Sequence, residues 1–360
     1  MNSSRLCPRH EPRFQHRTGL AAINEVVFIA GMLASLFWMV TLLMAPVTDV
    51  ANPLASKAIS DRPVYQISLD RDGNRLWVYR RYSGVERMNL TTGDVDRSLP
   101  IEEMELAQVA HSRDGSTSLL CGMDGTLLLY RDGEETRLAR IIQQNEMIVG
   151  ASVSQDGAVA VCMTSRGQVH GWRRDGSEVR EFAYDLPLES ALLSIHLSSN
   201  GRQLFVAQHA GTVSSHCPET GIPDGIAIRI GEACVTHAWS ADDRLMGAVT
   251  STGKMAVYEL PTGRIAFERL LDDCRGAYDG NPVMVISPDG RNIAVTADFF
   301  RVIRIWDMKT GQPPRELLGH DGMVRTLQFA PSADRLFSGS YDGTIREWSL
   351  ETYSQLRVVN

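Results

Sequence analysis

The clearest strand-and-turn pattern in the sequence is GHDGMVRTLQFAPSADRLFSGSYDGTIREWS, which runs from Gly319 to Ser349. Apolar and polar residues alternate over short runs, and Gly, Ser, Asp and Pro separate those runs. Alternation with a period of two is typical of half-buried β-strands, and the separating residues suit tight turns. The stretch therefore predicts short strands joined by turns.

The same order of turns recurs upstream, back to about residue 62. The turn after the first strand of each unit recurs at intervals of about 42 to 47 residues, at Asp72, Asp114, Asp156, Asn200, Asp242, Asp289 and Ala333. Two further sets of turns, mostly marked by glycine, keep the same phase. Gly, Asn and Asp suit such turns because hairpins require positive φ at one or both central positions. Three turns in each unit predict four strands, and seven units result.

An apolar column is maintained at one position of the first strand in all seven units. Its members are Ile67, Val109, Ala151, Ile195, His237, Met284 and Leu327. A maintained column indicates that like positions pack together in adjacent sheets, and radial repetition of four-stranded sheets leaves few exposed edges. The predicted fold is all-β, a seven-bladed β-propeller of four-stranded antiparallel blades over residues 62–360.

The last unit resembles the WD-repeat (G-beta-like repeat) family in its Gly-His start, its Ser-Gly-Ser strand and its terminal Trp. In that family a buried Asp–His–Ser–Trp hydrogen-bond network braces the blade, and the resemblance assigns these roles to Asp342, His320, Ser338 and Trp348. A buried carboxylate and imidazole are tolerated only when they are hydrogen-bonded, so such a network also fixes the strand register. The sixth unit keeps Trp306, and earlier units depart further from the motif.

A hydrophobic segment precedes the repeats. Residues 26–47, VVFIAGMLASLFWMVTLLMAPV, carry no charge, and at 1.5 Å per residue they are long enough to cross a hydrocarbon core of about 30 Å. A cleaved secretory signal has a shorter apolar stretch of about 7 to 15 residues and is the alternative. The sequence predicts a basic tail (1–25), a transmembrane signal-anchor helix (26–47) and a linker (48–61).

Positive charge sets the predicted orientation of this helix. Four arginines precede the segment and two basic residues follow it closely, namely Arg5, Arg9, Arg13 and Arg17 before it, then Lys57 and Arg62. The bias predicts a cytoplasmic amino terminus and an extracytoplasmic propeller. Of the six cysteines only Cys7 precedes the segment, so the others cannot all pair. Unpaired thiols suit a propeller on the cytoplasmic side, which is the alternative.

Composition and motifs argue against several classes of function. The net charge is −7 and no basic run follows residue 20, whereas a phosphate-binding surface needs a concentrated Lys/Arg field, so no nucleic-acid partner is predicted. The cysteine and histidine spacings match no zinc site, and His111, His196 and His237 share no register that converges on the axis. No serine-nucleophile elbow, calcium loop or phosphate loop is present. The sequence predicts no catalytic residue, no cofactor and no metal.

One turn departs from the repeat. The turn between the second and third strands of the sixth unit reads Asp298-Phe299-Phe300-Arg301, with arginine where most units have glycine. An exposed aromatic pair beside an arginine is typical of a binding hot spot, so Phe299, Phe300 and Arg301 are candidate partner-binding residues. The alternative is that both rings fold inward over the blade edge, because exposed Phe is unfavourable without a partner.

The predicted function is a non-enzymatic protein–protein interaction scaffold that is tethered to a membrane. A membrane anchor would raise the effective concentration of the propeller toward partner proteins on the same membrane. The alternative is an extracytoplasmic propeller enzyme, such as a lactonase-like hydrolase or a quinone-cofactor dehydrogenase. Such enzymes need acidic residues or metal ligands that converge at the axis, and the sequence assembles no such set. It names neither the partner nor the face that binds it.

Overall fold

The fold is seen in a computed structural model that describes residues 62–80, 83–99, 101, 104–131, 134–140, 146–176, 178–271, 282–297 and 300–359. The predicted tail, transmembrane helix and linker (1–25, 26–47 and 48–61) lie outside the described residues. Within the described part every regular element is a strand. Accordingly, no helix there has the length and apolar character needed to cross a membrane.

Seven sheets of four consecutive strands form the structure, and within each sheet every strand pairs antiparallel with the next. Blades 1 to 4 comprise β1 (Val64–Leu69), β2 (Arg75–Arg80), β3 (Gly84–Asn89), β4 (Val95–Leu99); β5 (Leu106–His111), β6 (Thr117–Gly122), β7 (Thr126–Arg131), β8 (Glu134–Arg140); β9 (Ile148–Val153), β10 (Val159–Thr164), β11 (Gln168–Asp175), β12 (Glu178–Asp185); and β13 (Leu192–Leu197), β14 (Leu204–Gln208), β15 (Thr212–His216), β16 (Pro223–Arg229). Blades 5 to 7 comprise β17 (Cys234–Trp239), β18 (Leu245–Thr250), β19 (Lys254–Glu259), β20 (Arg264–Leu270); β21 (Met284–Ile286), β22 (Asn292–Ala297), β23 (Val302–Asp307), β24 (Arg315–Leu317); and β25 (Val324–Phe329), β26 (Arg335–Ser340), β27 (Ile345–Ser349), β28 (Gln355–Val359). The prediction of an all-β, seven-bladed propeller with four-stranded antiparallel blades is confirmed.

Burial follows the position of a strand within its blade. The second strands β6 and β10 are buried at every residue, because neighbouring blades cover both faces of the sheet. Such strands read as continuous apolar runs, as VAVCMT does in β10. The fourth strands lie at the rim, and most residues of β12 and β20 are exposed. The core therefore consists of layers between blades.

The ring closes where blade 7 meets blade 1. The backbone N–H of Ile67 donates to Thr326 Oγ1 at 3.2 Å, which joins positions that are 259 residues apart in the chain. Val64 and Phe337, both fully buried, belong to the apolar layer between these two blades. The outermost strand of blade 7 is β28, so this blade takes all four of its strands from the carboxyl-terminal part of the chain. Side-chain packing and the Ile67–Thr326 bond therefore join the two ends of the ring.

A serine–aspartate pair shapes the first turn of most blades. In blade 2, Ser112 Oγ donates to Asp114 Oδ1 at 2.6 Å and accepts from the N–H of Thr117 at 2.8 Å. The same serine-to-Asp/Asn bond occurs in blades 3 to 6, between Ser154 and Asp156, Ser198 and Asn200, Ser240 and Asp242, and Ser287 and Asp289. Local side-chain bonds of this kind favour turns over continued strands. The turn positions can therefore be recognised in the sequence from the serine and the Asp or Asn two residues later. In blade 1 the serine position is taken by Asp70.

Candidate functional site

Blade 7 contains the four-residue network that the resemblance implies. Trp348 Nε1 donates to Ser338 Oγ at 2.8 Å, and Ser338 Oγ lies 2.7 Å from His320 Nε2. His320 Nδ1 lies 2.8 Å from Asp342 Oδ2. A neutral imidazole that donates from Nδ1 and accepts at Nε2 satisfies every member, because the indole N–H can only donate and the ionised carboxylate can only accept.

The environment of Asp342 keeps this carboxylate ionised. Burial alone would raise its pKa, but hydrogen bonds from His320 and Thr344 outweigh that effect and hold the pKa below its usual value. Thr344 donates from both its backbone N–H and its hydroxyl to Asp342 Oδ1, at 2.8 and 2.6 Å. The Ser338 hydroxyl is fully buried and already bonded on both sides. The set therefore braces the blade and offers no accessible nucleophile.

Other blades keep only parts of this arrangement. Trp172 of blade 3 is buried, but its Nε1 has no hydrogen-bond partner among the described residues. In blade 2, Tyr130 occupies the place of the tryptophan and Leu120 the place of Ser338, so the contact of 2.8 Å between Ser118 Oγ and His111 Nδ1 is not part of such a network. The complete network is thus a local feature of blade 7, and the rest of the ring is stabilised by apolar layers.

The candidate partner-binding turn of blade 6 has a different form from an exposed aromatic pair. Phe300 is only 7% exposed, and its backbone has φ of 63°. Its carbonyl accepts a hydrogen bond from Val324 N–H at 2.7 Å, which ties the turn to blade 7. Burying the ring removes its apolar surface from water, so the inward-folded alternative describes this residue. Arg301 is exposed, and Phe299 lies outside the described residues.

Of the three histidines that the sequence places in no common register, two contribute to the lining at the centre of the ring, and His237 is not among the lining residues. His111 and His196 both line one cavity at the centre of the ring. His111 also stacks on Trp77, with ring centroids 4.6 Å apart, and burial lowers its pKa to about 3, so the ring is neutral. The described residues include no group of three or more His, Cys, Asp or Glu side chains that could hold a metal ion.

The central cavity opens at the first turns of the blades, where the innermost strands end. Its volume is about 230 Å³, and all seven blades contribute to its lining. The polar lining includes Arg113 and Gln155 on one side and His196 and Asp243 on the other. It is a candidate binding site formed by described residues of every blade.

Hydrogen bonds join the first turns of blades 2 to 5 along one arc of this opening. Asp114 N–H donates to the carbonyl of Gln155, and Gln155 N–H donates to the carbonyl of Ser199, both at 3.1 Å. Ser199 N–H donates to Asp243 Oδ2 at 2.7 Å. Gln155 Nε2 reaches past blade 4 and donates to the carbonyl of Ala241 at 2.8 Å. This arc is therefore a connected and preorganised edge of the cavity.

Asp243 ends the arc. Its Oδ1 lies 2.9 Å from His196 Nε2, and the His196 ring stacks on Trp239 with centroids 5.1 Å apart. Burial alone would raise the pKa of Asp243, but the bonds from His196 and Ser199 outweigh it and lower the pKa. Asp243 has φ of 59°, at a position where blades 1 to 4 and blade 6 have glycine. Sequence reasoning missed this residue, although an Asp-Asp pair in place of Asp-Gly was a visible signal.

Comparison with known proteins supports the repeat assignment. Residues 311–349 match the family described as WD domain, G-beta repeat. The chain is 30% identical over 116 residues to the U3 snoRNP-associated protein-like EMB2271 of Arabidopsis thaliana, which covers 31% of this chain and 24% of that protein. It is 27% identical over 272 residues to human (Homo sapiens) Striatin-4, which covers 68% of this chain and 36% of that protein. Residues 311–349, which include most of the last blade, are thus similar to a WD40 repeat.

A solved structure supports the fold. The crystal structure of the β-propeller domain of Cps50 (Swd1) from Myceliophteria thermophila is similar with a TM-score of 0.66 at 17% sequence identity, covering 81% of this chain and 99% of that one. At this identity the likeness concerns the fold alone. The chain spans between 8% and 29% of the length of the first curated relatives that it matches.

Proposed function

We propose that this chain, whose residues 311–349 are similar to a WD40 repeat, is a non-enzymatic platform that docks other proteins at a membrane. The observation that supports the proposal is the closed ring of seven blades, whose first and third turns lie on one face and whose second turns and blade connections lie on the other. Apolar layers between the blades give the turns a rigid support, and binding residues are most often carried by loops on such a scaffold.

The relatives add support of a second kind. The protein from Arabidopsis is named for its association with a U3 snoRNP, a larger particle. Assembly into a complex is the role that we propose for this chain, with proteins as the partners. The net charge of −7 favours protein over nucleic acid as the contacted surface.

The absence of catalysis is part of the proposal. The serine, histidine and aspartate that come together in blade 7 are enclosed, since Ser338 and the His320 side chain are fully buried. A substrate therefore has no path to Ser338 in the folded blade. Metal analysis of the purified protein tests the competing propeller-enzyme function, because stoichiometric calcium or copper would favour an enzyme.

The membrane tether comes from the uncharged segment 26–47. We propose that it anchors the chain, with the amino terminus in the cytoplasm and the propeller on the extracytoplasmic side, as the arginine bias favours. Confinement to a surface raises the effective concentration toward partners on the same membrane. A propeller on the cytoplasmic side is the competing arrangement, and protease accessibility of residues 62–360 in intact cells distinguishes the two.

The central experiment is affinity capture from solubilised membranes. The full chain is compared with residues 62–360 expressed without the segment 26–47. The proposal expects the full chain to fractionate with membranes and to retain specific partner proteins, and the shorter chain to retain fewer of them. Recovery of the full chain in the soluble fraction would contradict the tether, and a full chain that captures no protein would contradict the docking role.

A further inference from the structure

The central cavity is small for a metabolite and suits a single side chain. Its volume is about 230 Å³, whereas pockets for small molecules and cofactors have volumes of about 300 to 1,000 Å³. The cavity is lined by the ends of the innermost strands and by the first turns, so it opens onto one face of the propeller. A group that projects from a partner protein on this face can enter it.

One charge in the lining, that of Arg113, has no ion-pair partner among the residues that the structure describes. Arg113, in the first turn of blade 2, is half-buried, and its side chain forms no hydrogen bond or ion pair with any described residue. Burial and the nearby positive charge of Arg71 both lower the pKa of Arg113. A partly desolvated guanidinium whose charged neighbour is another cation is unfavourable unless an anion pairs with it. The side of the cavity at blade 2 is therefore an acceptor for negative charge.

The other charge in the lining is already satisfied. Asp243 Oδ1 is bonded to His196 Nε2, and Asp243 Oδ2 accepts from Ser199 N–H. Blade 5, which carries Asp243, lies three blades from Arg113. Because both carboxylate oxygens have partners, an incoming cation would gain little there. The lining thus favours an anionic ligand over a cationic one.

The remaining walls are apolar and aromatic. Trp239, Phe329 and Ile286 line the cavity beside the polar groups. Walls of this kind exclude water, and a charge-assisted hydrogen bond is stronger where water is excluded. The first turn of blade 6 carries Pro288 at the position of Gln155 in blade 3 and Ser199 in blade 4, each of which donates its backbone N–H to the next blade. Proline has no N–H to donate, so the hydrogen-bonded arc does not extend across this side.

We propose that this cavity receives the carboxylate side chain of a partner protein, a glutamate or an aspartate, which pairs with Arg113. The proposal rests on the docking role given above and assigns it a surface, the face that carries the first turns. The preorganised arc of blades 2 to 5 forms one edge of the site, and the proline-bearing turn of blade 6 lies outside this arc. The neutral His111 ring, stacked on Trp77, forms part of the wall.

The test uses the full chain in detergent micelles and two peptide arrays. One array contains twelve-residue peptides with a central glutamate, and the other contains the same peptides with glutamine. The tightest glutamate peptide is then titrated against the wild type, Arg113→Gln and the control Arg202→Gln. Arg202 is exposed in the first turn of blade 4 and lies outside the cavity lining. Circular dichroism and thermal unfolding establish that the variants are folded.

The proposal expects binders on the glutamate array whose signal is lost on the glutamine array. It also expects a weakening of at least tenfold with Arg113→Gln and unchanged affinity with Arg202→Gln. Equal affinity of wild type and Arg113→Gln, or an absence of glutamate-dependent binders, overturns it. The last measurement is competition by free glutarate. Displacement of the bound peptide by glutarate at the same concentration as the peptide would assign the site to small carboxylates, and this result also overturns the proposal.

Capture of partner proteins distinguishes a failure of the cavity proposal from a failure of the proposed docking role. Equal capture of partner proteins by wild type and Arg113→Gln overturns the cavity as the docking site and leaves the platform intact. A wild type that captures nothing contradicts the docking role, and the peptide arrays then still decide whether the cavity binds a carboxylate.

Discussion

Asp70 and Asp72 occupy, in the first turn of blade 1, the two positions that a serine and an aspartate or asparagine take in blades 2 to 6. In those blades a hydrogen bond joins the serine hydroxyl to the aspartate or asparagine, as it does between Ser112 and Asp114. A carboxyl group can donate like a hydroxyl only while it is protonated. Burial, and next the interaction with Asp72, raise the pKa of Asp70 to about 6. At neutral pH the ionised Asp70 therefore provides no side-chain donor at the position where the other blades have serine.

We expect Asp70→Ser to stabilise the propeller at pH 7. The folded-state pKa of Asp70 is raised, so its contribution to stability is complete below the ordinary aspartate pKa and is lost as the pH rises through about 6. The serine supplies the bond that blades 2 to 6 have, without a titrating group. The expected gain in the free energy of unfolding is roughly 1 kcal/mol at pH 7, because the lowered pKa of Asp72 offsets part of the shift. Denaturant unfolding at pH 5 and pH 7 measures it.

The reciprocal variant is the control. Ser112→Asp creates the carboxyl pair in blade 2, beside Asp114. It should lower stability more at pH 7 than at pH 5, opposite in sign to Asp70→Ser. A variant Asp70→Ser that is less stable than the wild type at pH 7 would show that the ionisation of Asp70 does not determine the stability of this turn.

Two tryptophans at equivalent positions of their blades allow a matched comparison. Trp348→Phe removes the N–H that donates to Ser338, whereas Trp172→Phe removes an N–H that is buried without a partner among the described residues. Both changes lose similar volume. We expect Trp348→Phe to be the more destabilising by roughly 1 to 3 kcal/mol, since it breaks a buried bond and the other relieves an unsatisfied donor. Thermal and denaturant unfolding measure the difference, and equal losses would contradict a bracing role for the network.

The fold was predictable because its turns are stabilised by hydrogen bonds between residues that are close in the sequence. A bond such as Ser112 to Asp114 joins residues two positions apart, so the turn can be recognised in a short window and its phase counted along the chain. The buried second strands are likewise visible as apolar runs, as in β10. Strand number, blade number and antiparallel order follow from these local signals.

The centre of the ring was not predictable by the same reasoning. Gln155 donates to a carbonyl 86 residues away, and His196 meets an aspartate 47 residues away. Such pairs exist only after blades 3, 4 and 5 have packed, and no window of sequence contains both partners. The sequence carried one signal, an Asp-Asp pair in place of Asp-Gly at Asp243. The role of Asp243 depends on its bonds to His196 and Ser199 of the neighbouring blade 4, which the sequence alone does not show.

The aromatic turn of blade 6 illustrates a related limit. The sequence identified Phe300 as unusual, and its position in a turn is correct. Whether the ring faces solvent depends on the adjacent edge of blade 7, where Val324 bonds to the Phe300 carbonyl. The residue type alone is equally compatible with an exposed and a buried ring. In the folded protein the Phe300 ring is buried.

His237 offers a test of the cost of unsatisfied polar groups. It occupies the apolar column on the first strand of blade 5, and neither ring nitrogen has a hydrogen-bond partner among the described residues. Burial, and next the charge of His209, lower its pKa to about 4. We expect His237→Met to raise the free energy of unfolding by roughly 1 to 3 kcal/mol at pH 7, because methionine fits the column, as Met284 does in blade 6, and carries no group that requires a bond.

The same histidine gives a pH dependence of opposite sign to that of Asp70. The unfolded chain takes up a proton at an ordinary histidine pKa, whereas folded His237 does so only near pH 4. Its contribution is thus complete above the ordinary pKa and is lost as the pH falls toward 4. The wild type should lose stability more steeply than His237→Met between pH 6.5 and pH 4. His111→Met is the contrasting variant, since it removes the bond to Ser118 and the stack on Trp77 and should destabilise at pH 7.

The last prediction concerns the backbone of Asp243, which combines a strained conformation with two hydrogen bonds. A non-glycine residue at φ of 59° costs of order 1 kcal/mol. Asparagine adopts this conformation readily and keeps an oxygen for the N–H of Ser199, whereas alanine keeps the strain and loses both bonds. We therefore expect the order of stability to be wild type, then Asp243→Asn, then Asp243→Ala, with a loss of roughly 2 to 4 kcal/mol for alanine.

The variant Asp243→Gly separates the energetic effect of the backbone strain from that of the two side-chain hydrogen bonds. Asp243→Gly relieves the strain, as the glycines of blades 1 to 4 do, yet it also removes both bonds to the neighbouring blade. Because glycine removes only the strain, it should restore about 1 kcal/mol of the stability that alanine loses, while amide exchange at Ser199 becomes faster in both variants. Slow exchange at Ser199 in the glycine variant would mean that the arc is maintained by Gln155 alone, whose N–H and side chain bond to Ser199 and Ala241.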